Sequence, residues 1–246
     1  MTGRPAGGVD WLLTGGPRAS IGILTADLAN LGAEVALLER LGAELVHIDV
    51  MDGVYCPQLT VGAPIVKAIG PALVRDVHLM VDDPLAKIES ILAAGADIVT
   101  VHIERAGHPH RVFTALAELH GRSSGSDRPL VRGFGLSPSQ PVEAIEPFLD
   151  VVEYVLVLAI DPGWGGQAFI PGTVARIGRV QELIARSGRA IAIGIDGGIT
   201  MANVVDLAGL GLDVIVTGSA VFDGRAAEPN GRRMLDLVAG LGPRAA

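Results

Sequence analysis

Two kinds of apolar segment alternate along the chain from residue 19. Runs dense in Val and Ile read as β-strands: "ASIGIL" (19–24), "ELVHIDVM" (44–51), "ALVRDVHLMV" (72–81), "DIVTVHI" (97–103), "LVRGFGL" (130–136), "YVLVLAI" (154–160), "AIAIGID" (190–196) and "DVIVTGSAVF" (213–222). Between them, apolar residues recur every three or four positions, in "NLGAEVALLERLG" (30–42), "APIVKAIG" (63–70), "PLAKIESILAAG" (84–95) and "HRVFTALAELHG" (110–121). The same period continues in "PVEAIEPFLD" (141–150), "TVARIGRVQELIARSG" (173–188), "MANVVDLAGLG" (201–211) and "GRRMLDLVAGL" (231–241), and it predicts helices. Eight β-then-α units in succession predict an α/β fold, a single-domain (β/α)8 TIM barrel, because that number closes a parallel sheet on itself. An open doubly wound sheet is the alternative that this alternation permits.

The punctuation agrees. "LGAE", "AGAD" and "GLD" ahead of strands fit helices that end at Gly and turn tightly into the next strand. The polar stretch "GRSSGSDR" (121–128) reads as a surface loop, since the β/α rhythm resumes on both sides. Residues 1–17 are Gly-rich and lie outside the rhythm, which predicts a loosely attached N-terminal arm on a barrel of residues 18–246; a lid over one barrel mouth is the second reading.

Composition narrows the class. The 246 residues are 49% hydrophobic, enough for one large core. No stretch approaches the roughly 18 to 20 continuous apolar residues of a membrane span, and the start lacks the order of a secretory signal. A soluble, unexported, cytoplasmic chain with no membrane partner is expected. A net charge of −8 and 4% aromatic content argue against a nucleic-acid partner, which needs clustered cations and stacking platforms. The single cysteine, Cys56, excludes an internal disulfide and reads as a packing residue.

The chemistry sits in strands that otherwise read as core. In "LVHIDVMDG" (45–53), His47 and Asp49 lie two apart and so point to one face, near the strand's C-terminal end. The third strand ends with His78 and the seventh with Asp196, and in a barrel these ends converge on one mouth. Taken singly, His47 or His78 reads as a hydrogen-bonded core histidine, Asp49 as its partner and Asp196 as a turn residue. Gathered in an apolar mouth, the four need a compensating charge, which a divalent metal supplies; imidazole with carboxylate suits zinc or iron. Glycine-rich segments, "DPGWGGQAF" (161–169), "DGGI" (196–199) and "TGSAVF" (217–222), follow strands six, seven and eight, where barrels often hold a phosphate on backbone N–H groups.

"LTADLANLG", "HIDVMDG", "DVHLMV", "DPGWGGQAFIP" and "DGGI…TGSAVF", in this order, resemble the ribulose-phosphate 3-epimerase family from Ser20 to Phe222. The resemblance implies a barrel enzyme that inverts carbon 3 of a ketose phosphate, D-ribulose 5-phosphate first, with one divalent metal per chain. It implies Zn2+ or Fe2+ ahead of Mn2+ or Co2+, with His47, Asp49, His78 and Asp196 as ligands, and Asp49 and Asp196 as acid and base. By the same resemblance Met51 and Met80 line the catalytic mouth, and Gly165, Gly166, Gly198, Gly218 and Ser219 hold the phosphate. A homo-oligomer is expected.

Some positions depart from the family's pattern. Gly22 replaces a Ser common in the substrate site, and Val54 and Gln58 stand where His and Asn are usual. Leu158 takes the place of a Met that often covers the metal, Ala168 of a Lys, and Gly194 of a Glu. These departures leave the metal and acid–base set intact and touch the substrate's surroundings, so a tetrulose or hexulose phosphate is the alternative substrate. Two other classes compete: a non-catalytic sugar-phosphate-binding barrel, and a lyase or isomerase barrel of the tryptophan-pathway kind. The latter would share the phosphate loops without needing both His47-x-Asp49 and His78.

Overall fold

In the computed structural model, which describes residues 5–242, eight parallel strands close into a barrel in chain order. They are β1 (Arg18–Gly22), β2 (Leu45–Met51), β3 (Val74–Met80), β4 (Ile98–Val101), β5 (Val131–Leu136), β6 (Tyr154–Leu158), β7 (Ala192–Asp196) and β8 (Val214–Thr217). β8 closes onto β1, from Arg18 opposite Val214 to Ile21 opposite Thr217, so the open doubly wound sheet is excluded. The helices are α1 (Val9–Leu12), α2 (Leu31–Leu41), α3 (Ala63–Ile69), α4 (Ile88–Ala93), α5 (Pro109–Ser123), α6 (Thr173–Ser187) and α7 (Ala227–Ala239).

Two segments with helical period form short 3-10 turns instead of α-helices. One is Val142–Phe148, where Pro147 lacks an N–H and crowds the preceding turn. The other is Val204–Leu207, which is cut off by Gly209 and Gly211, both at positive φ. Elsewhere the glycine stops behave as expected: α2 ends at Gly42 (φ 82) and α6 at Gly188 (φ 67), left-handed positions that a side chain would strain.

Both faces of each strand are buried, which is why the strands read as apolar runs. Val46, Ile48 and Val50 of β2 join an outer apolar layer with Leu38 of α2 and Val66 and Ile69 of α3. Their neighbours of opposite parity point into the barrel. There Leu45, Val74, Ile98, Val131, Tyr154, Ala192 and Val214 fill the N-terminal end of the interior.

Leu12 of α1 joins that interior cluster and is 1% exposed. Arg18 donates to the Thr14 carbonyl at 2.8 Å and stacks 4.1 Å over the Trp11 ring, while Arg128 donates to the Pro5 carbonyl at 3.0 Å. The segment expected as a loosely attached arm is therefore anchored across the barrel's N-terminal end over its described part, because the interior there is an apolar layer that Leu12 covers. Residues 1–4 of that arm lie outside the described residues.

Candidate active site and metal centre

The strand ends bring the predicted residues together. Asp49 stands in register opposite His78, and Asp196 is the last residue of β7. Asp49 Oδ1 lies 3.2 Å from both His47 Nε2 and His78 Nδ1, and Asp196 Oδ2 lies 3.9 and 3.7 Å from the same two nitrogens. One donor atom from each of the four falls within 4.8 Å of all the others. Two atoms each about 2.1 Å from a common centre sit about 3.4 Å apart at the tetrahedral angle, so this constellation can hold a small divalent ion.

The far ring nitrogens are also engaged. His47 Nδ1 lies 2.8 Å from Asp76 Oδ2, which accepts from the Ser20 hydroxyl at 2.8 Å, and His78 Nε2 lies 2.8 Å from His102 Nε2. The sequence reading passed over Ser20, Asp76 and His102. The alternation that pairs His47 with Asp49 also puts Asp76 on the face of His78 in "VRDVHLM", so the signal for Asp76 was present. His102 lies just past the end of β4, where the alternation alone does not say which side chain turns inward.

The electrostatics differ between the two carboxyls. Burial pushes Asp49 up, but the His47 and His78 rings outweigh it and hold this carboxyl well below its usual range. Asp196 is raised to about 6 by burial and by the charges of Asp49 and Asp76, against the opposing pull of the two histidines. Burial disfavours a charged His47, yet Asp76 and Asp49 prevail and raise it. A cation held by these four residues would compete with protons there, since metal ligation needs the deprotonated groups. Asp52, the other carboxylate in "LVHIDVMDG", stands apart from the cluster: it accepts from the Val54, Tyr55 and Asp82 amides at 2.8 to 3.0 Å and shapes the loop.

Above the four residues opens a cleft of about 220 Å3. Asp49, Asp196, Met51 and Met80 line it, as do all the expected phosphate-loop residues, Gly165, Gly166, Gly198, Gly218 and Ser219. Thr25, Ile160, Trp164 and Thr200, which the sequence reading did not single out, line it too. No lysine or arginine among the described residues does so. Gly198 (φ 67) lets the loop after β7 close on that after β6, since a Cβ there would meet the Phe169 backbone nitrogen at 2.8 Å. A helical turn starts at Gly218, whose carbonyl accepts from both Val221 and Phe222 at 2.9 Å. Cys56 is packed with Met51 and Met80.

Two of the departures differ in what the structure requires of them. A Cβ at Gly22 would find its nearest neighbour, the Gly218 Cα, at 3.5 Å, so a side chain fits there and the glycine leaves open space in the cleft. At Gly194 the reverse holds: a Cβ would lie 1.8 Å from the Tyr154 hydroxyl, which occupies the volume that a side chain at 194 would take.

The sequence pattern of the ribulose-phosphate 3 epimerase family matches residues 18–222. The chain belongs to this family. A chloroplastic ribulose-5-phosphate-3-epimerase of Arabidopsis thaliana is 38% identical over 204 residues, covering 81% of this chain and 69% of that protein. A ribulose-phosphate 3-epimerase of Synechocystis sp. is 37% identical over 205 residues, covering 82% and 85%. Among solved structures, KGPDC from Streptococcus mutans superposes with a TM-score of 0.64 over 92% of this chain and 98% of its own, at 13% identity, a likeness of fold alone. Membership makes the protein an enzyme of the epimerase class, which sets aside the non-catalytic and tryptophan-pathway readings. No helix among the described residues is long and apolar enough to cross a membrane.

Proposed function

We propose that the enzyme interconverts D-ribulose 5-phosphate and D-xylulose 5-phosphate, with His47, Asp49, His78 and Asp196 holding one divalent cation, Zn2+ or Fe2+ first. The observation that carries this reading is the pair of carboxyls lining one cleft, Asp49 and Asp196, beside His47 and His78, with one donor atom of each of the four within 4.8 Å of all the others. Inversion next to a carbonyl requires one group to take a proton from one face and another to return a proton to the opposite face. Asp49 comes from β2 and Asp196 from β7, separated round the barrel by β1 and β8, so they approach a substrate lying between them from different sides. When bound, a divalent cation supplies Lewis-acid stabilisation of the negative charge that develops on the substrate oxygens.

The remaining residues orient the substrate. Met51 and Met80 give the reacting carbons an apolar wall that keeps water from competing for the proton. The loops at Gly165, Gly166, Gly198, Gly218 and Ser219 offer backbone N–H groups to the phosphate, a mode that needs no lysine. The test is an assay of ketose phosphates in deuterated water, with metal content measured on the same sample. Conversion of ribulose 5-phosphate with deuterium at carbon 3 supports the reading. Failure of every ketose phosphate to exchange, with metal bound, overturns it.

A further inference from the structure

The two histidines of the cluster are held from behind in different ways. His47 leans on a carboxylate, Asp76, whereas His78 leans on a second imidazole. The His78 and His102 rings lie 5.0 Å apart between centroids, and the 2.8 Å contact between their Nε2 atoms accommodates one proton, shared as a single hydrogen bond. A His78 whose Nδ1 lone pair faces Asp49 and Asp196 carries its proton on Nε2, so His78 donates and His102 accepts. The Nδ1 of His102 then carries a proton of its own, and it lies 3.2 Å from Ser137 Oγ and 3.5 Å from Glu104 Oε2. The Tyr55 hydroxyl reaches both, at 3.3 Å from Ser137 Oγ and 3.4 Å from Glu104 Oε1, and its ring packs 5.2 Å from His102.

The slot for His102 is made by an absence of side chain on β5. A Cβ at Gly135 would lie 2.6 Å from His102 Nε2, the same atom that meets His78. The His102 ring is fully buried and is thereby confined by Gly135, Tyr55 and Ser137 to one orientation.

We propose that His102, seated over Gly135 and oriented by Ser137 and Glu104, is a positioning residue that locks the His78 ring with Nδ1 toward Asp49 and Asp196. The inference rests on the reading that this cluster holds a divalent cation, and it adds the chain Glu104–His102–His78 to the four residues. Partners behind a metal-binding histidine set its tautomer and ring orientation and are typically worth about 10- to 100-fold in metal affinity.

Cobalt(II) is the probe, its affinity measured by chelator competition and its coordination by the visible absorption band. His102→Leu removes the acceptor and is expected to weaken cobalt binding about 10- to 100-fold and alter the band. His102→Gln keeps an acceptor oxygen near the Nε2 position and is expected to stay within about threefold of the parent. Gly135→Ala leaves His102 in the chain but pushes it off its seat and should resemble His102→Leu. Glu104→Gln, at a partly exposed residue that leaves the core untouched, should give a smaller loss in the same direction. Cobalt affinity and band unchanged in folded His102→Leu, or a loss in His102→Gln as large as in His102→Leu, overturns the proposal. If His102→Leu does not fold, Glu104→Gln and Gly135→Ala decide it, and parent affinity in both is the overturning result. A parent that binds no cobalt removes the metal reading itself, an outcome separable from the others because it needs no variant.

Discussion

Gly194→Ala is a small substitution with a large expected consequence, because the space it needs is already taken. The added Cβ would lie 1.8 Å from the Tyr154 hydroxyl oxygen, 2.6 Å from Cζ and 2.8 Å from Cε2. Tyr154 is fully buried in the barrel interior, so its ring has no free volume to enter and either it or β7 must shift. Overpacking of this kind costs about 1 to 3 kcal/mol, and the overlap with a rigid ring puts this site near the upper end. Replacing glycine by alanine returns roughly 0.4 to 1 kcal/mol through the unfolded chain, so overpacking wins by about 2 kcal/mol. For a chain of this size that corresponds to a fall in Tm of about 4 to 8 °C.

Tyr154→Phe should cost little or stabilise, since its buried hydroxyl has no hydrogen-bond partner among the described residues. It also deletes the atom at 1.8 Å while leaving the one at 2.6 Å. Tyr154→Phe/Gly194→Ala should therefore recover about 1 kcal/mol relative to the sum of the single changes. Urea and thermal unfolding followed by circular dichroism at fixed metal concentration measure this. Asp196 lies two residues along β7, so kcat should fall in Gly194→Ala and partly return in the double variant. Stability of Gly194→Ala within about 0.5 kcal/mol of the parent, or strict additivity in the cycle, would refute the reasoning.

Asp49→Asn and Asp196→Asn keep size and remove the proton carrier, so each should lower turnover at least about 10²-fold and slow deuterium entry at carbon 3. Wild-type turnover of either variant, metal retained, contradicts the assignment. In metal-stripped protein, Asp196 sits at about 6 against a usual 3.8; a raised carboxyl stabilises the fold fully below 3.8 and loses that contribution as pH climbs through 6. Between pH 5 and 7, where Asp49 is ionised in folded and unfolded chains alike and the raised His47 adds a change of the same sign, Tm with chelator present should fall as pH rises. With saturating metal the fall should disappear, since the cation replaces the proton and binds more tightly as the ligands deprotonate. An equal fall with and without metal argues against a shared site. Gly22→Ser, for which there is room at 3.5 Å, restores a hydroxyl to the cleft and should raise the preference for ribulose 5-phosphate over tetrulose and hexulose phosphates, by roughly 0.5 to 1.5 kcal/mol in relative kcat/KM. No change marks Gly22 as neutral. Dephosphorylated ketose should react with far lower kcat/KM, and equal values would make the glycine loops structural turns.

The strands and most helices are legible in the linear order because a parallel barrel buries both faces of every strand, so each strand is a Val- and Ile-rich run whatever its neighbours are. Within those runs, a polar residue at inward parity stands out, which is why His47, Asp49, His78 and Asp196 could be named without coordinates. Period alone could not foresee that Val142–Phe148 and Val204–Leu207 would be 3-10 turns, because Pro147 and the glycines at 209 and 211 act on the backbone and leave the apolar spacing intact. Nor could it foresee that Leu12 would close the barrel's N-terminal end, a matter of volume left between strands far apart in sequence. Tertiary structure alone decided the second tier of the site: His102 over Gly135, and Tyr154 in the space beside Gly194. Those pairings seat a ring that follows β4 on the backbone of β5, and a ring from β6 on the backbone of β7. A glycine's role as a seat for someone else's ring leaves no mark in the sequence, because what it contributes is the missing atom.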